Sequence, residues 1–88
     1  MKIKENYILR EVAGSNIVVP IGDAQMSFNG IMTLNDVGTF IWKILEKGAE
    51  REEIIDRVLE TYDVARPKAE QDIDKYLNKL RDKNLIEE

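Results

Sequence analysis

The hydroxyls and carboxylates of this sequence are the side chains first considered for catalysis, and neither class has the partners that catalysis needs. The chain of 88 residues contains no histidine and no cysteine. Its candidate nucleophiles are the hydroxyls of Ser15, Ser27, Thr33, Thr39 and Thr61. A hydroxyl needs an adjacent general base to attack a substrate, and the commonest base, histidine, is absent. The sequence therefore predicts a protein that is not an enzyme.

Two carboxylate pairs are candidates for binding a hard cation. Glu52 is followed by Glu53, and Asp72 is separated from Asp74 by one residue. Residues at these spacings on a helix point to different faces, and the spacing of a calcium-binding loop is absent. The glycines also lack the spacing of a phosphate-binding loop. We predict no metal site and no cofactor, and we expect these carboxylates on solvated helix surfaces.

Composition and charge narrow the class of protein further. The chain is 43% apolar and 34% charged, which is typical of a globular domain, and its length predicts one domain over residues 1–88. No apolar run approaches the roughly 20 residues that span a bilayer, and no signal-peptide pattern is visible, so we expect a cytoplasmic protein. The net charge of −4 argues against affinity for nucleic acid, which depends on basic groups.

Alternating apolar and polar residues in the first third of the chain predict β-strands. Proline lacks the N–H that a sheet ladder needs, so residue 20 is expected to end the second strand. The strands are predicted at residues 7–12, 17–19 and 26–34, with turns at 14–16 and 22–25. This order predicts a three-stranded antiparallel meander with hairpin connections.

From residue 35 onward the apolar period changes to that of amphipathic helices. Asn35 is a suitable N-cap, and Gly48 is expected just beyond the first helix, at C′. A second helix is expected to end near Tyr62. Pro67 suits the first turn of a third helix, which Asn84 is expected to end. The predicted fold class is α+β: a three-stranded antiparallel sheet followed by a three-helix bundle, similar to a winged helix-turn-helix.

Some residues in the helical region are assigned to the core rather than to a site. Gly38 is expected to let the first helix pack closely against a neighbour, and Trp42 to fill the space beneath the sheet. Leu85 and Ile86 are expected to fold back onto the same core.

A winged helix-turn-helix regulator that binds DNA is the alternative function, with the third helix as the reader. That helix is nearly neutral, because its basic side chains outnumber its acidic ones by one. The basic residues are Lys68, Lys75, Lys79, Arg81 and Lys83, and the acidic residues are Glu70, Asp72, Asp74 and Asp82. The sheet precedes the helices and contains few positive groups, so no basic wing is expected. The sequence disfavours nucleic acid as the partner.

The third predicted strand is unusual because one long part of it carries no charge. This part is Ser27, Phe28, Asn29, Gly30, Ile31, Met32 and Thr33. Charged residues normally protect an edge strand from pairing with other chains. An uncharged edge is either covered by the third helix of the same chain or kept for a guest strand, and it also allows a homodimer by pairing or swapping.

Several short motifs occur in order over roughly residues 7–86. They are Leu34-Asn35-x-x-Gly38-x-x-Ile41-Trp42-x-x-Leu45, Glu53-Ile54-Ile55, Tyr62-Asp63-Val64, Asp72-Ile73-x-x-Tyr76-Leu77-x-x-Leu80 and Asn84-Leu85-Ile86. Together they closely resemble the PqqD-like family. The chain departs from the family at Asn84, where glycine is frequent, and at Tyr76, where phenylalanine is frequent. Asparagine also tolerates the left-handed conformation, so the first departure is compatible with the fold.

The resemblance implies a recognition element for ribosomally made, post-translationally modified peptides. Members of the family bind the leader segment of a precursor peptide as an added antiparallel strand beside the third strand, in the cleft against the third helix. They present it to a modifying enzyme, commonly a radical S-adenosylmethionine enzyme. The residues that would bind the leader are the uncharged stretch from Ser27 to Thr33 and, on the helix, Asp72, Ile73, Lys75, Tyr76, Lys79 and Leu80.

Within this set, the roles of the helix residues differ. A half-buried Tyr76 would form the floor of the cleft, whereas Ile73 and Leu80 belong to the apolar stripe expected in the core. Lys75 and Lys79 would attract acidic leader residues, or would be ordinary helix surface.

Overall fold

The computed structural model describes residues 1–27 and 32–88 of the chain. Five strands and four helices lie in these ranges, in the order β1 (Lys2–Ile3), β2 (Tyr7–Val12), β3 (Ser15–Pro20), α1 (Ala24–Ser27), β4 (Met32–Leu34), α2 (Asp36–Lys47), α3 (Arg51–Thr61), α4 (Arg66–Asp82) and β5 (Ile86–Glu87). The predicted α+β class is confirmed, since the three-stranded sheet precedes the three long helices.

Strands β2, β3 and β4 form the predicted antiparallel sheet, in that spatial order. Leu9 lies opposite Val18, and Val18 lies opposite Met32. The side chains of Val18, Met32 and Leu34 are buried on the face toward the helices. Strand β4 is therefore an edge strand, and no strand in the described ranges pairs with its outer edge.

The β2–β3 hairpin turns one residue earlier than the sequence predicted. Its two central residues are Ala13 and Gly14, both with positive φ (52° and 82°). Ser15 pairs with Val12 and Asn16 with Glu11, so both belong to the strand. Alanine rarely adopts positive φ, which is why the sequence pointed to the glycine and asparagine instead.

The segment between β3 and β4 corrects two predictions. Residues 24–27 form a single helical turn, α1, where a loop and then a strand were expected, so Ser27 is not a strand residue. Gly22 has a φ of 61°, and its carbonyl accepts from the Gln25 N–H, which starts the turn. Ala24 anchors it because its side chain is buried. One turn is too short to show a helical period. The predictions for residues 28–31 lie outside the described residues.

The ends of helices α2 and α4 follow the predicted capping residues. The Asn35 side chain accepts from the Gly38 N–H at 2.8 Å. Gly48, with a φ of 92°, is the C-cap residue of α2, one position earlier than the predicted C′. After α4, Asn84 has a φ of 61°, its N–H donates to the Arg81 carbonyl, and the Leu85 N–H donates to the Leu80 carbonyl. This pair of bonds is a Schellman motif, formed here with asparagine in place of glycine.

A second, two-stranded sheet joins residues from the two ends of the described chain. Strands β1 and β5 are antiparallel, with Lys2 opposite Glu87 and Ile3 opposite Ile86. The sequence did not predict it, because two residues show no period and the partners are more than 80 positions apart. The predicted burial of Leu85 and Ile86 is confirmed.

The core lies between the main sheet and helices α2, α3 and α4. Its fully buried side chains include Trp42, Leu45, Ile54, Ile55, Leu80 and Leu85. The prediction that Trp42 belongs to the core is confirmed, with an exposed fraction of 0%. None of the helices within the described ranges is long and apolar enough to cross a membrane.

Candidate functional site

A cleft of about 400 Å³ opens between the beginning of α2, the end of α3 and one side of α4. The residues that line it are Asn35, Val37, Gly38, Ile41, Val58, Tyr62, Val64, Ala69, Asp72, Ile73, Lys75, Tyr76 and Lys79. Asn35 directly follows β4, so the end of this strand lies beside the cleft. A volume of this size accommodates several side chains of an extended peptide.

The floor of the cleft is apolar. Ile41, Val58, Ala69 and Ile73 are buried there. Val37, Tyr62, Val64 and Tyr76 are half-buried and pack against the same core. Because half-buried apolar side chains lose their remaining contact with water when a ligand covers them, this floor favours an apolar group of the ligand.

Tyr76 closes the cleft toward α2. Its hydroxyl donates to the Gly38 carbonyl at 2.8 Å. A Cβ at Gly38 would lie 3.2 Å from Tyr76 Cε2 and 3.2 Å from Asn35 Oδ1, so the glycine lets the ring approach the helix backbone. The predicted role of Gly38 in close packing is confirmed. Burial raises the pKa of the Tyr76 hydroxyl, which keeps this group protonated and able to donate.

The rim of the cleft along α4 is charged. Lys68 Nζ donates to Asp72 Oδ1 at 3.1 Å, so the carboxylate of Asp72 is already engaged by its own helix. Lys75 and Lys79 are exposed, and neither has a carboxylate within 4.0 Å in the part of the chain that the structure describes. The rim therefore presents two cations to a ligand that lies along α4.

The position of α4 is fixed from the side away from the cleft by an ion pair to α3. Arg51 Nε donates to Asp74 Oδ1 at 2.6 Å, and Arg51 Nη2 donates to Asp74 Oδ2 at 3.0 Å. The two parallel bonds give the pair a defined geometry. The hydrogen bonds from Arg51 hold the pKa of the Asp74 carboxyl below its usual range. Asp74 is thus a residue that orients α4, not one that lines the cleft.

The structure brings most of the predicted helix residues together. Asp72, Ile73, Lys75, Tyr76 and Lys79 all line the cleft. Leu80, the sixth, is fully buried and is not among the lining residues.

Of the strand residues predicted to bind the peptide, two lie on β4, one lies in α1, and four fall outside the described residues. Met32 is buried and Thr33 is exposed on β4, whereas Ser27 lies in α1. The predictions for Phe28, Asn29, Gly30 and Ile31 fall on residues that the structure does not describe.

The sequence did not predict that residues of α2 and α3 also form walls of the cleft. Val37 and Val58 belong to the apolar stripes of α2 and α3. Tyr62 is the C-cap residue of α3, and Val64 lies between α3 and α4. No local signal separates a half-buried wall residue from a core residue, because both occupy the same stripe. Among the described residues, no cluster of three or more candidate metal ligands occurs.

The fold and the cleft define an α+β domain in which the edge strand β4 ends beside an apolar groove. The model of the family described as "Coenzyme PQQ synthesis protein D (PqqD)" matches residues 7–86. The chain therefore belongs to the PqqD family, as the sequence motifs suggested.

Two solved structures share the fold over nearly the whole chain. The structure described as "TbiB1 in Complex with the TbiA(beta) Leader Peptide" is 30% identical, with a TM-score of 0.78, and the match covers 99% of this chain and 95% of that one. A second, described as "Lasso peptide synthetase B1 complexed with the leader peptide", is 18% identical, with a TM-score of 0.74, and the match covers 96% and 93%. The latter shows likeness of fold alone. Comparison with curated proteins gives no match.

Proposed function

We propose that this chain is a non-catalytic binding module, a single domain over residues 1–88, that captures the leader segment of a ribosomally made precursor peptide. The observation that carries the proposal is the outer edge of β4, which pairs with no strand in the described ranges and is followed by Asn35, a residue of the apolar cleft beside α4. Membership of the PqqD family and the TbiB1 structure, whose description names a leader peptide, support it.

The proposed binding mode is addition of the leader as an antiparallel strand beside β4. The backbone N–H and C=O groups on the outer edge would bond to the guest strand and provide affinity that does not depend on its sequence. Successive side chains of a strand point to opposite faces, so every second leader side chain would face the helices. Specificity then comes from Tyr76 and its neighbours in the cleft. The uncharged residues 27–31 are proposed to contribute, as the sequence suggested.

The proposed partner besides the leader is a modifying enzyme to which the bound peptide is presented. We propose a radical S-adenosylmethionine enzyme, as the PqqD resemblance implies, and a cytoplasmic site of action. The chemistry would then belong to that enzyme, which agrees with hydroxyls that lack a histidine base in this chain.

A homodimer through the same edge would compete with the leader. Two copies that pair along β4 occupy the backbone groups that the guest strand needs. Sedimentation velocity with and without peptide tests this, because a dimer of that type must dissociate when peptide binds.

The DNA-binding alternative receives no support from the comparisons, and the ion pairs of α4 argue against it. Arg66 is paired with Glu52, and Arg81 with Glu88. Lys75 and Lys79 are left without a carboxylate partner among the described residues, but the net charge of −4 opposes binding to phosphate. We propose that nucleic acid is not a partner.

The experiment that tests strand addition uses peptides selected from a phage-displayed library of random 16-residue sequences. The strongest binder is titrated into isotope-labelled protein, and amide exchange is followed by NMR. We expect slower exchange at outward-facing amides of residues 32–34 and shifts along residues 72–79. A peptide N-methylated at alternate backbone nitrogens should lose binding, since its side chains are kept and its strand donors are removed.

A second groove on the protein serves as the control region for the amide-exchange experiment. Phe40, Lys43, Lys47 and Arg57 lie between α2 and α3, away from the cleft. If the amide changes are confined to this region, the leader-binding edge is not β4, and the proposal is wrong.

A further inference from the structure

The charge of the cleft differs in sign from the charge of the chain. The whole chain carries −4, yet the charged residues that line the cleft are two lysines and one aspartate. A ligand that enters the cleft therefore meets Lys75 and Lys79 on a protein whose remaining surface is acidic. An acidic ligand would be repelled by that surface and attracted at this rim.

Two of the three carboxylates within four residues of these lysines on α4 are engaged elsewhere, and the third, Asp82, forms no ion pair with Lys79. Asp72 is bound by Lys68 at 3.1 Å, and Asp74 by Arg51 at 2.6 Å. Lys75 and Lys79 have no carboxylate partner in the described ranges of the chain. The two cations are thus left without a counter-charge among the residues that the structure describes.

The spacing of the two lysines also favours an external counter-charge. Like charges at positions i and i+4 of a helix are neighbours and repel each other. The helix rise places such residues about 6 Å apart along the axis. Side chains at i and i+2 of an extended peptide are separated by about 6.6 Å. Two carboxylates at alternate positions of a strand that lies along α4 therefore match the two lysines.

We infer that the peptide taken by this cleft carries acidic residues at i and i+2, which Lys75 and Lys79 bind, beside an apolar residue that covers Tyr76. The inference rests on the proposed function and adds the class of peptide. Lys75 and Lys79 are in this view specificity-determining residues, while the edge of β4 supplies binding that is independent of sequence.

The test repeats the library selection with three proteins: the wild type, Lys75→Gln/Lys79→Gln, and the control Lys43→Gln/Lys47→Gln. The control removes two exposed cations with the same spacing from α2, outside the cleft. We expect Asp or Glu pairs at alternate positions among peptides selected by the wild type and the control, and not among those selected by the cleft variant. Both variants change only exposed side chains, and circular dichroism checks that each protein is folded.

Affinity of the strongest wild-type peptide gives the quantitative measurement. Each lysine that is lost should weaken binding about two- to fivefold, as for solvent-exposed ion pairs, and added salt should weaken wild-type binding more than binding by the cleft variant. The α2 control should bind as the wild type does. Lys75→Glu/Lys79→Glu should instead select peptides with basic pairs.

The possible failures are distinguishable. If selected peptides protect the edge of β4 but show no acidic enrichment, or if the cleft variant selects the same acidic peptides, this inference is wrong and strand addition stands. If no selected peptide perturbs β4 or α4, the proposed function is wrong and the inference falls with it.

Discussion

Tyr76 is the residue at which the core and the candidate site meet. Its hydroxyl is bonded to the Gly38 carbonyl, while one side of its ring lines the cleft. It is half-buried, in contrast to the fully enclosed Leu77 next to it. From this position we expect changes at Tyr76 to affect both folding and the proposed peptide binding, and the two effects can be separated by choice of substitution.

Replacing Tyr76 by phenylalanine removes one hydrogen bond and keeps the ring. We expect a loss of about 0.5–1.5 kcal/mol in the free energy of unfolding, measured by urea denaturation, with little change in affinity for a selected peptide. Tyr76→Ala should in addition weaken peptide binding by about one to a few kcal/mol, as at interface hot spots.

Leu77→Ala is the matched control for these variants. Leu77 is buried and does not line the cleft, so its truncation should cost about 2–5 kcal/mol of stability and leave peptide affinity unchanged. A Tyr76→Ala protein as destabilised as Leu77→Ala, yet with normal peptide affinity, would show that Tyr76 is only a core residue.

Gly38→Ala tests the close contact between α2 and α4. In an open helix this change stabilises by about 1 kcal/mol, but here the new methyl group would press on the Tyr76 ring at 3.2 Å. We expect Gly38→Ala to destabilise the wild type and to be less harmful in a Tyr76→Ala background. The difference, a coupling of about 0.5–3 kcal/mol, is measured by a double-mutant cycle in urea. Equal effects in both backgrounds would mean that Tyr76 does not restrict position 38.

At the scale of the elements, the β2–β3 hairpin holds an alanine in a conformation that alanine avoids. Ala13 has a φ of 52° in a two-residue turn that needs positive φ at both positions. Ala13→Asn should raise the free energy of unfolding by about 0.5–1 kcal/mol, because asparagine tolerates this region better. Ala13→Val serves as the opposite control and should lower it. A destabilised Ala13→Asn variant would contradict the assigned turn.

How well each element could be predicted depends on how local its determinants are. The meander and three long helices follow from alternation, apolar stripes and caps such as Asn35 and Asn84, all read within a few residues. The pairing of Ile3 with Ile86 is set by tertiary packing across the whole chain, so no local pattern reports it. The single turn at Ala24 is stabilised by burial of a small side chain, which alternation does not reveal.

Only the part of the candidate site that lies on α4 could be predicted from the sequence. Tyr76 and Lys79 share a stripe of α4, so the sequence places them together. The contact of Tyr76 with Gly38 joins positions 38 residues apart, and the wall formed by Val58 and Val64 depends on the angle between α3 and α4. Such angles are set by side-chain packing between helices and cannot be inferred from the apolar period of either helix alone.

At the scale of the whole molecule, charged side chains connect α3 to α4 on the side away from the cleft. Arg51 binds Asp74, and Arg66 binds Glu52. These pairs are partly exposed, so they contribute more to the relative orientation of the helices than to stability. Because the cleft lies partly between α3 and α4, we expect their orientation to affect its width and, through it, the proposed peptide binding.

The Arg51–Asp74 pair gives the protein a pH dependence in acid. The pKa of Asp74 is lowered in the folded state by its hydrogen bonds with Arg51, whereas in the unfolded chain it returns to about 3.9. The stability from this pair is therefore present above about pH 4, and it is lost as the pH falls from there through the folded pKa, because the unfolded state takes up the proton first. Asp74→Asn removes this dependence, so the variant should lose less stability than the wild type between pH 7 and pH 3 in urea denaturation. Asp72→Asn removes a carboxylate from the same helix but keeps the pair, and it should retain the acid-dependent loss. If Asp74→Asn and the wild type lose stability in parallel over this range, the pair is not formed in solution.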